Sequence, residues 1–307
     1  MYRKRLIHLA QLGAVGLTGY YAGHLNWTCE AGDSIVVDGR RLRTMPALPI
    51  FGTVSAAQPY TNGTVSKDRV SQIMKYGFPS LDNIRSYDDY VLAYDKRTRV
   101  PYWVFEHLTK AHVTKNSQVD RSKCDFKPDE SIHPFFRSLN TDYKGSGFDR
   151  GHMAAAGNHR LAQAHCDQTF FLTNMAPQVG DGFNRHAWNK LEKHVRKLTK
   201  VYENVYCCTG PLYLPRKESD GKMYVRYQVI GANTVAVPTH FYKVVVAEAA
   251  DGALDMEAYV MPNQRIPDET PVASFMVPPE TIERASGLLF FDRLQRTKLN
   301  RINGKKL

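Results

Sequence analysis

Phe148-Asp149-Arg150-Gly151-His152-Met153-Ala154-Ala155-Ala156-Gly157-Asn158-His159 sets a guanidinium and an imidazole two residues apart, in a segment whose Asp and Gly favour a turn. A guanidinium grips phosphate as a planar fork. A histidine that titrates near neutrality can take a proton from an attacking water. The four residues Asp149 to His152 suit phosphodiester chemistry only if a metal ligand and a charge-balancing carboxylate follow. Asn184 and Glu192 follow at usable spacing.

Those two residues lie on the clearest helical pattern in the chain, residues 184–202. At roughly 100° per residue, Trp188, Leu191, Val195, Leu198 and Tyr202 fall within about 80° of one another and form the core stripe. Glu192 lies about 40° beyond that stripe and Arg196 about 80° beyond it, so both flank the buried face and can pair at i,i+4. Asn184 stands at the N-terminal end, where Asn is a favoured cap and the helix dipole favours anions. An ordinary reading also accounts for each: Asn184 caps, Glu192 and Arg196 make a surface ion pair, and Trp188 packs.

Around this helix the pattern is mostly strand. A short amphipathic helix is expected near Ser66 on Val70, Ile73 and Met74, followed by a strand pair at 90–94 and 102–108. Residues 109–127 are polar and aperiodic and read as a surface loop, and the apolar run 169–174 reads as a buried strand. Further strands are expected at 205–213, 223–230, 235–248 and 254–261, with a last helix at 279–285. Strands interspersed with helices, without βαβ alternation, predict an α+β fold: a mainly antiparallel central sheet flanked by helices.

The 307 residues include 43% hydrophobic ones and carry a net charge of +11, which favours polyanionic partners. The five cysteines form no CxxC pair and no zinc spacing. Cys207 and Cys208 are adjacent in an apolar run, as strand residues facing opposite sides of a sheet. His159, His165, His186 and His194 match no zinc pattern and read as surface residues or as residues just behind the site.

Asp149 to His152, then Leu172-Thr173-Asn174-Met175-Ala176-Pro177-Gln178, then Asn184 with Trp188, Glu192 and Arg196 occur in order. Together they resemble the DNA/RNA non-specific endonucleases of the ββα-metal fold. The resemblance runs from about Val70 to Phe291 and includes the segments 142–148 and 231–240. Asp149 and a chain end 16 residues after Phe291 separate it from the branch of that family with Ser and a long C-terminal extension. The resemblance implies His152 as general base and Asn184 as the direct protein ligand of Mg²⁺, with Mn²⁺ able to substitute. It implies Glu192 bonded to the ion's water shell, Arg150 and Arg196 on the phosphate, and Asn174 orienting His152 or that water. Arg121, ahead of Cys124-Asp125-Phe126, is similar to the family's upstream phosphate-binding arginine. DNA and RNA cleaved to 5′-phosphate and 3′-hydroxyl ends, and a homodimer, follow as expectations of the family.

The N-terminus reads separately. Residues 1–27 place Arg3, Lys4 and Arg5 before an apolar stretch with no acid, as in a mitochondrial targeting segment with a weak inner-membrane anchor. A secretory signal, and hence a secreted scavenging nuclease, is the alternative. Residues 28–65 read as a linker, richest in Pro, Gly, Ser and Thr from 44 to 62, and 66–307 as the endonuclease domain. A non-catalytic nucleic-acid-binding protein of the same fold is the rival reading from another class.

Overall fold

An apolar run such as Tyr90-Val91-Leu92-Ala93-Tyr94 has no polar face to turn to water, so as a strand it must be covered on both sides. The computed structural model bears this out. It describes residues 67–307 and one short antiparallel pair, β1 (Val36–Val37) with β2 (Arg40–Arg41). The expectations for residues 1–27, and for the rest of 28–65, lie outside the described residues. The chain divides into compact units at 1–56 and 57–307, and the second holds every element from Lys67 onward.

Helix α1 (Lys67–Ile73) leads into a meander of β3 (Ile84–Ser86), β4 (Tyr90–Asp95) and β5 (Val100–Leu108). After α2 (Lys110–Val113) and α3 (Asn140–Tyr143) come β6 (Phe148–His152), α4 (Gln163–Gln168) and β7 (Met175–Val179). A widened turn over Gly180–Trp188 then passes into α5 (Asn189–Leu198) and β8 (Asn204–Leu212). Two small ladders follow, β9 (Arg216–Lys217) with β10 (Met223–Tyr224) and β11 (Val229–Ile230) with β12 (Val235–Ala236). The long strands β13 (His240–Glu248) and β14 (Leu254–Pro262), helix α6 (Pro279–Ser286), and β15 (Leu299–Ile302) with β16 (Lys305–Lys306) complete the unit.

Eight strands form one sheet in the order β16-β15-β14-β13-β8-β5-β4-β3, antiparallel throughout except for β14 and β15. One face packs on α1, α6 and the segment around Phe290 and Phe291 through Val91, Trp103, Phe105, Cys208, Tyr242 and Val244. The other packs beneath β6, β7 and α5 through Tyr90, Leu92, Val104, Cys207, Phe241 and Val245. Cys207 and Cys208 thus divide between the faces as the alternation requires. The β6–β7 pair is separate from the large sheet and runs antiparallel, with Phe148 opposite Val179 and His152 opposite Met175. Two strands and a helix, laid on one face of a large sheet, are the ββα unit of the expected fold class.

Four local expectations are corrected. Residues 148–152 form a strand rather than a turn, because pairing with β7 overrides weak local propensity. Residues 169–174 are the C-cap and turn that follow α4 and a tight turn, Leu172–Asn174, since a short apolar run does not distinguish helix from strand. The 109–127 segment contains α2 and a tight turn at Arg121–Lys123. The expected strands 223–230 and 235–248 are both interrupted, the second between Ala236 and His240.

Candidate active site

β6 and β7 carry the histidine to the floor of a cleft of about 730 Å³. Gly151 is needed there, because a Cβ would come within 2.1 Å of the Gln178 side chain reaching across from β7. Asn174, wholly buried, fastens the backbone just beyond His152. Its Oδ1 accepts from Ala154 N at 2.9 Å, and its Nδ2 donates to the carbonyls of Ala154 and Thr169 at 2.9 and 2.8 Å. The Asn174 amide is therefore fully used by backbone and is not among the cleft's lining residues. Its contacts near His152 are to main-chain groups only.

The His152 ring is wedged between aromatic rings, edge-on to Phe170 at 4.7 Å and tilted to Phe126 at 5.7 Å. Burial, assisted by the positive charge of Arg121, drives its pKa down to about 3, so the imidazole is neutral at physiological pH. Its Nε2 is buried without a hydrogen-bond partner among the described residues. A buried polar atom left without a partner is costly, and here it belongs to a cleft residue able to accept a proton.

Arg150, next to Gly151, places its guanidinium carbon over the Phe126 ring, 4.1 Å from the centroid, and donates to Asn140 Oδ1 at 2.7 Å. Those two contacts hold the guanidinium in place while leaving further donors for an anion. Arg121, matched only weakly by sequence, lines the same cleft. Lys144 and Arg185 join them, so four cationic side chains face two carboxylates, Asp149 and Glu192. The cleft is a place for anions.

Chain passage from β7 into the helix depends on Gly182 at φ +74°, a backbone state that disfavours side chains. Helical geometry resumes by Phe183, so Asn184 sits inside the first turn and caps nothing. Its Nδ2 instead donates to Asp149 Oδ2 at 2.9 Å, which pins the amide and leaves Oδ1 with no donor among the described residues. Asp149 is gripped by Arg185 at 2.8 and 3.0 Å, and this pairing chiefly holds its carboxyl below the usual range. Asp149, Asn140 and the two phenylalanines were missed as site residues by sequence reading. Only Asp149, adjacent to Arg150, offered a signal.

Glu192 is not a surface residue. Burial raises its carboxyl pKa, opposed first by the Lys243 ammonium and then by Arg196. Lys243, itself buried, projects from β13 and donates to Thr209 at 2.7 Å beside the Trp188 ring. Arg196 lies 4.0 Å from Glu192 and donates to Asn158 Oδ1 at 2.9 Å. It is absent from the cleft wall and stands behind Glu192. His159 is fully buried, as the second of its two readings has it, while His186 and His194 bond to Asp268 and Glu257 and do not line the cleft.

The segments 142–148 and 231–240 also meet. Asp142 accepts from the backbone and side-chain amides of Asn233 at 3.0–3.2 Å, and Gly231 lies against Asp142 where a Cβ would be 2.2 Å away.

A ββα unit with a neutral histidine ending its first strand and an asparagine heading its helix, in an anion-attracting cleft, defines a nuclease of the ββα-metal class. The chain belongs to the DNA/RNA non-specific endonuclease family, whose pattern matches residues 69–297. Its relatives include endonuclease G, mitochondrial, of Caenorhabditis elegans, 52% identical over 238 residues, 78% of this chain and 77% of the relative. The Homo sapiens protein of that name is 55% identical over 219 residues, 71% of this chain and 73% of its own length. A solved structure described as the EndoG/EndoGI complex, on the mechanism of EndoG inhibition, aligns at TM-score 0.77 and 72% identity, covering 78% of this chain and 97% of that one. The likeness to the endonuclease G branch, first carried by Asp149, is thus general along the domain.

Proposed function

We propose that the chain is a Mg²⁺-dependent, sequence-blind endonuclease that hydrolyses DNA and RNA to 5′-phosphate and 3′-hydroxyl ends. The observation that carries the reading is His152: buried, neutral, and without a side-chain hydrogen bond among the described residues, in a cleft lined by Arg121, Arg150 and Arg185. The neutral imidazole takes the proton of the water that attacks phosphorus. Burial first and Arg121 second lower the basicity of the free ring, and a bound phosphodiester anion offsets the Arg121 contribution. Arg150 and Arg121 hold the non-bridging oxygens, on which negative charge grows in the transition state.

The donor set suits a hydrated Mg²⁺, with Mn²⁺ as a substitute. Asn184 presents one pinned amide whose oxygen is free, Glu192 lines the same cleft, and no group of three His, Cys, Asp or Glu that could hold a metal ion occurs among the described residues. A hard ion that keeps most of its water asks for few protein ligands, and when bound it would supply positive charge at the leaving oxygen. Glu192 accepts hydrogen bonds from cleft water. Arg196 balances Glu192 and adds positive charge behind the phosphate.

Readout of phosphate alone carries no base information, so cleavage is expected on DNA and RNA alike. Relatives named as mitochondrial support a mitochondrial residence, in the intermembrane space or at the inner membrane. Residues 1–27 would be the address. Release to the nucleus and apoptotic DNA degradation, and assembly as a homodimer, complete the proposal; imaging of the tagged full-length chain and sedimentation test them.

One labelled duplex, assayed for binding and cleavage in Mg²⁺ and in EDTA, tests the central reaction. Cleavage in Mg²⁺ alone, lost in Asn184→Ala, is the expected result. Binding without cleavage in Mg²⁺ would make the chain a non-catalytic nucleic-acid-binding protein instead.

A further inference from the structure

Behind the cleft, charged side chains of alternating sign run from the edge of the fold to α5. The Arg69 Nε donates to Asp89 Oδ1 at 2.9 Å. His159 faces Asp89 through Nδ1 at 3.2 Å and Glu106 through Nε2 at 2.9 Å. Glu106 Oε1 also accepts from Asn158 Nδ2 at 2.8 Å, and Asn158 Oδ1 accepts from Arg196 Nη1 at 2.9 Å. Arg196 ends the chain 4.0 Å from Glu192 in the cleft.

Glu106, His159 and Asn158 are each at most 2% exposed. Burial by itself would lower the His159 pKa, but its two carboxylate partners prevail and hold it at about 9. A ring that donates from both nitrogens fixes Glu106. Glu106 in turn fixes which end of the Asn158 amide faces it: the NH₂ turns to the carboxylate, and the oxygen turns to Arg196. The guanidinium also lies over Gly157, where a Cβ would be 3.1 Å from Nη1. Arg196 makes no closer contact with Glu192 than 4.0 Å, so Asn158 is its short hydrogen bond to a side chain among the described residues.

We propose that Asn158 is a positioning residue for Arg196, oriented by the buried Glu106–His159 pair so that the guanidinium is aimed toward Glu192 and the scissile phosphate. Asn158 touches neither substrate nor metal; it acts through Arg196. The inference rests on the reading of the cleft as a phosphodiester-cleaving site.

A double-mutant cycle on the full chain in Mg²⁺ tests it, with kcat and KM measured on one labelled duplex for wild type, Asn158→Ala, Arg196→Ala and the double variant. Loss of a hydrogen bond that orients a charged group is expected to lower kcat about 10- to 100-fold in Asn158→Ala, with KM within about threefold. In the Arg196→Ala background the same substitution is expected to cost nothing further, because its only route to catalysis has gone. A wild-type kcat in Asn158→Ala, or an undiminished cost in the Arg196→Ala background, overturns the proposal. Asn158→Ser leaves a hydroxyl near the buried Glu106 carboxylate but is too short to bring an oxygen to the guanidinium, and it carries the test if the alanine variant does not fold. It should lose kcat as Asn158→Ala does, and a wild-type kcat would contradict the inference. Failure of the underlying reading looks different: wild type itself would not cleave, or His152→Ala would cleave normally.

Discussion

Phe105 and Glu106 are neighbours on β5, and they face opposite ways. Phe105 packs edge-on against Phe291 at 5.3 Å in an apolar layer closed by α1 and α6. Glu106 faces the β6–β7–α5 unit, where Thr209 and Lys243 share its side of the sheet. Both faces are buried, but the second sets Glu106 and Lys243 among its apolar residues beneath the cleft. Stability and chemistry are therefore separable by single substitutions on adjacent residues.

The largest separation should come from the apolar face. Phe105→Ala removes a fully buried ring and is expected to cost about 3–5 kcal/mol of unfolding free energy. Folded molecules at low temperature should still cleave at the wild-type rate. Denaturant titration and an initial-rate assay check both halves, and a cleavage defect in the folded fraction would break the division between faces.

Next comes a pH effect confined to the charged face. His159 has its pKa raised from 6.5 to about 9, so its stabilisation is fully present below pH 6.5 and disappears as pH rises through 9. His159→Gln should lose on the order of a few kcal/mol at pH 6 and much less near pH 9.5. Melting temperatures across that range decide it; an equal deficit at both ends would mean that the ring is neutral in the fold.

Smaller again is Asn174→Ala. Three backbone groups lose their partner, for roughly 1–3 kcal/mol of stability, since solvent can reach part of the opened loop. kcat should fall with it while Mg²⁺ titration midpoints stay in place, as the amide does not reach the cleft. A shifted Mg²⁺ midpoint would return Asn174 to the metal site.

Much of this organisation was legible in the chain. The 184–202 periodicity marked the helix, the three ordered motifs marked the ββα unit, and His152, Arg150, Arg121, Asn184 and Glu192 do line one cleft. The apolar alternation at Cys207 and Cys208 divided the sheet's faces correctly. What escaped is physical in origin. A polar, glycine-bearing strand such as β6 exists through its partner, and the run at 169–174 was too short for its period to be read. Glu106, Asn158 and Lys243 are far apart in sequence and sit in strands or turns with no pattern of their own. Only folding brings them under α5, and a lone charged residue in an apolar strand gives no hint of what will face it.

The proposed chemistry depends most directly on His152. Plasmid cleavage by His152→Ala in Mg²⁺, measured beside the circular dichroism spectrum and melting temperature, is expected to fall by at least about 10²- to 10⁴-fold with the fold intact. Cleavage at the wild-type rate by the folded variant would contradict the proposal that this buried, neutral imidazole activates the attacking water.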